Sequence, residues 1–255
     1  MNQLTLVPVM MALASQAAGC IVDHTRDGGD GPGDGGGSGV DVAAISARWS
    51  LRNMLDGATT ACPAGFDTVQ LIALPIDANG DAVGDPSVDL FDCNKQQGIS
   101  LDLVPDVYQV WIEVRSRDLA TLYAQSLSQV LDVRQADQAF SADILNDGGY
   151  FQLSWDLIGK ATSRPLDCAQ AMGVNAIKAI STSIADAHRV YDDKLVCEDH
   201  TTVTGGLLQG MYTISIAAMS GDLPLGKAAT LTNKVIAGQN RVTDLGTITI
   251  PIDGL

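Results

Sequence analysis

The chain has 255 residues, 46% of them hydrophobic, which is enough apolar material for one large core or two smaller ones and excludes wholesale disorder. Thirty acidic residues against fifteen basic ones give a formal net charge of −15. A surface of that sign repels phosphate backbones, so nucleic acid is excluded as an expected partner, and the acidity reads first as solubility, with weak calcium affinity or a basic partner as the sharper alternative. Beyond the N-terminus no run is long and apolar enough to cross a bilayer as a helix.

Leu4 to Ala14 is a short apolar run, followed by the small residues that lead to Cys20. Its length suits a signal-peptide core better than a membrane span. The ending Ala17-Ala18-Gly19-Cys20 resembles the lipobox of bacterial lipoproteins. The resemblance implies that residues 1–19 are a signal peptide cut before Cys20, whose sulfur then carries the lipid that holds the mature protein to a membrane. Ile21 stands where an aspartate would retain such a protein in the inner membrane, so the resemblance favours the outer membrane of the cell envelope. From Asp27 to Gly39 the chain is almost all Gly and Asp. No side chain there can pack, and glycine loses most entropy on ordering, so residues 20–44 read as a lipidated N-terminus and flexible tether.

The remainder contains an internal repeat. Trp49 and Trp155 stand 106 residues apart, as do Cys62 and Cys168. Cys93 and Cys197, like Tyr108 and Tyr212, stand 104 apart. A single two-residue deletion between the cysteines reconciles these four landmarks, all of scarce residue types. They define repeat 1 (residues 45–147) and repeat 2 (residues 148–255).

Within each repeat the hydrophobic period is mostly two, the spacing of half-buried strands. Strands are expected over residues 68–74, 87–91 and 108–114 of repeat 1, and over 176–180, 194–197, 212–216 and 241–250 of repeat 2. The Asp77-Ala78-Asn79-Gly80-Asp81 run reads as a turn in which Asn-Gly supplies positive φ. Leu119 to Val133 has helix formers at ambiguous spacing and could hold a short helical turn. About seven short strands per hundred residues predict an all-β fold of two tandem antiparallel β-sandwiches, Ig-like or transthyretin-like. The Leu208-Gln209-Gly210-Met211-Tyr212-Thr213-Ile214 stretch, its partner Val104 to Trp111, and the closing Ile236 to Asn240 with its final strand resemble transthyretin-like and carboxypeptidase-regulatory-like modules. That resemblance implies binding or spacer roles and carries no catalytic residue.

Cys62, Cys93, Cys168 and Cys197 allow three pairings, and self-contained repeats select Cys62–Cys93 with Cys168–Cys197. Export to an oxidising compartment permits both bonds. A zinc site would need close pairs such as Cys-x-x-Cys, which the sequence lacks. Catalytic signals are likewise missing: there is no Gly-x-Ser-x-Gly elbow, His-Glu-x-x-His or phosphate loop. Only His188 and His200 lie in the repeats, both beside acidic residues in expected loops. Cys197-Glu198-Asp199-His200 with His188 has the ligand types for a metal, but repeat 1 offers Cys93-Asn94-Lys95-Gln96 in its place. The Asp77 turn lacks the later residues of a calcium loop.

Neither catalysis, cofactor nor metal is therefore expected. Trp49, Trp155, Tyr108 and Tyr212 recur and read as core, with a sugar-stacking platform as the alternative for them. Trp111 has Ser215 as its counterpart and leaves two readings open, a local core choice or an exposed binding face. The sequence thus points to a membrane-tethered, non-enzymatic envelope protein whose sandwiches meet a protein or carbohydrate ligand, with a structural spacer as the first alternative and an enzyme of unrecognised site as the last.

Overall fold

The computed structural model describes residues 42–255. The expected signal peptide, Cys20 and the Gly/Asp-rich tether lie outside the described residues.

Repeat 1 consists of β1 (Ile45–Arg52), β2 (Thr59–Thr60), β3 (Thr68–Pro75), β4 (Ser87–Asp92), β5 (Gln97–Ile99), β6 (Val107–Arg115), β7 (Leu122–Gln125), β8 (Gln129–Asp132) and β9 (Gln138–Leu145). Repeat 2 follows with β10 (Gly148–Gly159), β11 (Pro165–Leu166), β12 (Ala176–Ser183), β13 (Val190–Val196), β14 (Thr201–Val203), β15 (Leu207–Leu208), β16 (Gly210–Ser220), β17 (Leu223–Lys227), β18 (Leu231–Ile236) and β19 (Arg241–Ile252). The expectation of an all-β sandwich holds. Single turns of 3₁₀ helix, Cys93–Lys95 and Cys197–Asp199, are the only helices among the described residues. No helix forms between Leu119 and Val133. That segment makes β7 and β8, because both find partners along β6, and tertiary pairing overrides a weak local preference.

In repeat 1, β1 carries β2 and β5 on one side and β9 on the other, and this sheet packs on a second of order β4-β3-β6 with β7 and β8 beside β6. Alternation does the burying. Ile45, Ala47, Trp49 and Leu51 of β1, Phe140, Ala142 and Ile144 of β9, Val69, Leu71 and Ala73 of β3, and Tyr108, Val110, Ile112 and Val114 of β6 all face one core. Repeat 2 builds a separate core from the corresponding strands, with Phe151, Trp155, Ile177, Tyr212 and Ile250 among its members. In repeat 2 the two sheets also meet through Gly226 of β17 and Ile252 of β19. A side chain at Gly226 would sit 2.2 Å from the Pro251 carbonyl oxygen, so only glycine permits this approach.

Most pairings are antiparallel, with one exception in each repeat. The first and last strands run parallel: β1 beside β9 and β10 beside β19. An alternating pattern marks a strand but carries no direction, so this pairing was not legible in the sequence.

The registers also refine the repeat. Val88 and Trp111 both pair with Ile72, whereas their counterparts Asp192 and Ser215 both pair with Ile180. β3 and β12 are therefore offset by 108, not 106. The single two-residue deletion resolves into two extra residues before β12 and four fewer in the following turn. The missing four shorten the connection after β12, which turns at Asp186–Arg189 where repeat 1 has the longer loop carrying Asp77–Asp81.

The chain passes from one repeat to the next through Asn146 and Asp147. The Asn240 side chain of repeat 2 spans the seam, accepting from the Leu145 N–H at 2.7 Å and donating to the Gln125 carbonyl at 2.8 Å. Gln239 N–H donates to the Asn146 carbonyl and Gln209 N–H to the Asp147 carbonyl. Asp147 also accepts from Met54 N–H at 2.5 Å. Close approach here rests on glycine: a side chain at Gly206 would lie 2.7 Å from Leu145, and one at Gly148 3.2 Å from Met54. The equivalent positions of repeat 1 are Asp102 and Val42. Only repeat 2 has a pole shaped for this seat.

Candidate binding face

The recurring landmarks form one structural unit in each repeat. Trp49 Nε1 donates to the Cys93 carbonyl at 2.9 Å, and Trp155 Nε1 to the Cys197 carbonyl at 3.0 Å. Disulfides join Cys62 to Cys93 and Cys168 to Cys197, each with a Cα–Cα distance of 6.1 Å. Each second cysteine begins a 3₁₀ turn that closes on a left-handed residue, Gln96 or His200, both at φ 56°. The carbonyls of Gln96 and His200 accept from the backbone N–H groups of Trp49 and Trp155. Tyr108 donates its hydroxyl to the Val104 carbonyl and Tyr212 to that of Leu208, the tyrosine corner of Greek-key sandwiches. Burial pushes both phenols up.

These residues are architecture. Trp49 and Trp155 are 3% and 1% exposed, which leaves no ring face for a sugar. A shallow open depression lined by Arg48, Trp49, Ser50, Ser141, Ala142 and Asp143 therefore has no usable indole. His200 serves as a turn residue, as Gln96 does. His188 lies exposed in the Asp186–Arg189 turn, where its backbone N–H donates to Asp186. Cys168, Cys197 and Glu198 come together, but the two sulfurs are bonded to each other and offer no thiolate to a metal. Asp77 spends its carboxylate on its own turn, accepting from Asn79 N–H at 2.8 Å and Asp81 N–H at 3.0 Å, and these bonds hold its pKa low. Gly80 supplies the positive φ at 85°.

Sequence reasoning missed a second repeated feature. Asp89 and Asp193 occupy equivalent places on the edge strands β4 and β13, in register with the core residues Leu71 and Ala179. Asp89 accepts from Leu101 N–H at 3.2 Å and Asp193 from Gly205 N–H at 2.8 Å. Burial raises the pKa of both, the single backbone bond offsetting only part of it. An inward-pointing carboxylate on a free sheet edge discourages pairing with another chain. The available signal was an acidic residue at an inward position of an alternating strand, at the repeat offset.

Trp111 is the exception to the inward pattern. Val110, Ile112 and Val114 face the core, so Trp111 and Glu113 stand on the outer face of the β4-β3-β6 sheet. The Trp111 indole N–H donates to Glu113 at 3.2 Å, and Glu113 in turn holds Arg115 at 2.6 Å. Arg115 reaches on to the Leu119 carbonyl at 2.9 Å. In register across the sheet lie Ile72 and Val88 beside Trp111, Gln70 and Leu90 beside Glu113, and Leu74 and Val130 beside Gln109. Ile72 is only 7% exposed although it faces outward, and the indole is the largest neighbour able to cover it.

Repeat 2 supplies the control. Ser215 replaces Trp111, Ala217 replaces Glu113, and the equivalent Ile180 is less buried than Ile72. Around it Lys178 pairs with Asp192 at 2.8 Å. One repeat therefore shows an aromatic and apolar outer face, the other a polar one.

The fold and these faces define an all-β protein of duplicated, disulfide-braced sandwiches. No family model matches the chain, and no curated protein matches it. Among solved structures it is similar to a leucine-rich repeat protein from Bacteroides thetaiotaomicron VPI-5482, with 10% identity and a TM-score of 0.35 over 84% of this chain. The chain spans 26% of the length of that protein. It is also similar to a candidate polysaccharide-binding protein from the same organism, with 12% identity, a TM-score of 0.31, and coverage of 80% of this chain and 90% of that one. The minor pilin GBS52 of Streptococcus agalactiae matches with 10% identity and a TM-score of 0.30 over 84% of this chain and 97% of that one. At this level the likeness is one of strand-rich architecture.

Proposed function

We propose that this chain is a non-enzymatic lipoprotein of the cell envelope, tethered through Cys20 to the outer membrane, in which repeat 1 presents the Trp111 face to a protein or carbohydrate ligand. The observation that carries the binding role is the outward indole of repeat 1 set against Ser215 in repeat 2. The structural landmarks Trp49/Trp155 and Tyr108/Tyr212 recur in both copies, whereas Trp111 stands in repeat 1 alone. Aromatic side chains combine large contact area with low entropic cost, which is why they anchor binding surfaces. The separate cores and internal disulfides support reading each repeat as its own folding unit. The polar counterpart face favours a spacer role for repeat 2, which holds repeat 1 in place through the Asn240 seam.

Capture of partners from native envelopes by the lipidated protein tests this reading. Trp111→Ala removes binding while costing about 1 kcal/mol or less of stability, because the indole is outside the core. Trp49→Ala, by contrast, costs about 3–5 kcal/mol. Equal capture by wild type and Trp111→Ala refutes the proposed face. Palmitate labelling that persists in Cys20→Ser refutes the anchor.

A further inference from the structure

In each repeat the first and last strands are parallel neighbours, in unbroken register from Ile45 and Gln138 to Arg52 and Leu145 in repeat 1, and paired from Gly149 and Arg241 to Gly159 and Ile252 in repeat 2, where one bulge between Gln152 and Ser154 shifts the ladder by a residue. A stretching load carried along the chain enters repeat 1 at the start of β1 and leaves it at the end of β9. It then enters repeat 2 at the start of β10 and leaves at the end of β19. Parallel neighbours pulled from opposite ends can separate only by sliding, so their evenly spaced hydrogen bonds share the load and must break together. Strands gripped at the same end unzip one bond at a time. We propose that the paired terminal strands are shear-loaded clamps, and that this chain is a force-bearing link resisting traction between its two ends.

Three features of the molecule fit that role. The clamp strands bear the buried indole of each core and a phenylalanine beside it, Trp49 and Phe140 in one and Trp155 and Phe151 in the other, so sliding would drag them out of apolar surroundings. The connection between clamps has little slack. It is two residues long and fastened on both sides, by Asn146 N–H to the Arg52 carbonyl and by Gln209 N–H to the Asp147 carbonyl. Finally, the disulfides lie outside the clamp strands. They leave the clamps free to take the load and withhold the chain between the cysteines, separated by 31 and 29 residues, from extension once a clamp fails. The inference is independent of which ligand the Trp111 face binds.

Single-molecule pulling of the full chain through handles at its two ends tests the proposal. A second form keeps the C-terminal handle and carries the other in the exposed turn at Thr162, which grips β10 and β19 at the same end. A third carries it at Asp56, so that repeat 1 is unzipped while repeat 2 remains in shear as an internal reference. End-to-end pulling is expected to give one abrupt rupture per repeat, at about twice the force of the unzipped geometry or more at equal pulling speed. Reducing the disulfides is expected to lengthen the two releases by about 110 Å and about 100 Å at ~3.6 Å per residue. Rupture end-to-end at the same force as in the Thr162 or Asp56 geometry overturns the clamp, as does gradual extension without a distinct rupture. The Asp56 form keeps the test decisive if the Thr162 insertion does not fold.

Discussion

Replacing Asn240 by alanine strips both side-chain hydrogen bonds that cross from repeat 2 to repeat 1. The side chain is 3% exposed, so water does not substitute for it freely. Leu145 N–H is left unpartnered in a buried site, at about 1–3 kcal/mol, whereas Gln125 is exposed and its carbonyl turns to water at little cost. Asn240 also holds φ at 58°, where alanine is disfavoured by about 1–2 kcal/mol. The total comes to about 2–5 kcal/mol, a large share of the stability of a marginal domain. Asn240→Gly separates the terms: it relieves the backbone cost and keeps the hydrogen-bond loss, so it should recover about 1 kcal/mol of the damage. Calorimetry is the assay. Asn240→Ala should lower the main transition by about 4–20 °C and split it as the repeats lose their coupling. A change below about 0.5 kcal/mol with a single unsplit transition would refute the idea that this residue closes the seam.

Removing either disulfide by paired Cys→Ala substitution should cost about 3–4 kcal/mol in urea unfolding, nearly the same for both repeats because the closed loops are nearly equal. Markedly unequal losses would contradict their equivalence. Asp89→Asn and Asp193→Asn test the buried carboxyls. Their folded-state pKa values are raised, so the stability these groups contribute is present below the ordinary carboxylate pKa and lost as pH rises through the folded value. The asparagine variants should therefore be more stable than wild type at pH 7 and no more stable near pH 4. A uniform effect across that range in thermal unfolding would rule out charge burial as the cause.

Much of the architecture was written in one-dimensional spacing. Scarce residues at a constant offset revealed the duplication, the duplication selected the disulfides, and alternating apolar residues marked the strands. These features are local or self-referential, so a sequence can carry them openly. The offset of β3 and β12 was misjudged because that stretch has no rare landmark, and only the ladder registers expose two insertions and deletions that nearly cancel. Asp89 and Asp193 looked like ordinary strand acids until their partners, Leu101 and Gly205, were placed against them.

By itself the sequence determined that this protein is all-β, duplicated and braced within each repeat, because period and spacing follow directly from the geometry of a strand. Only the tertiary structure decided that the first and last strands run parallel, that Asn240 locks the two repeats together, and that the indole of Trp111 faces out. Each of those depends on which distant segment a strand meets and from which direction. Chain reversals set that, and no local pattern records it.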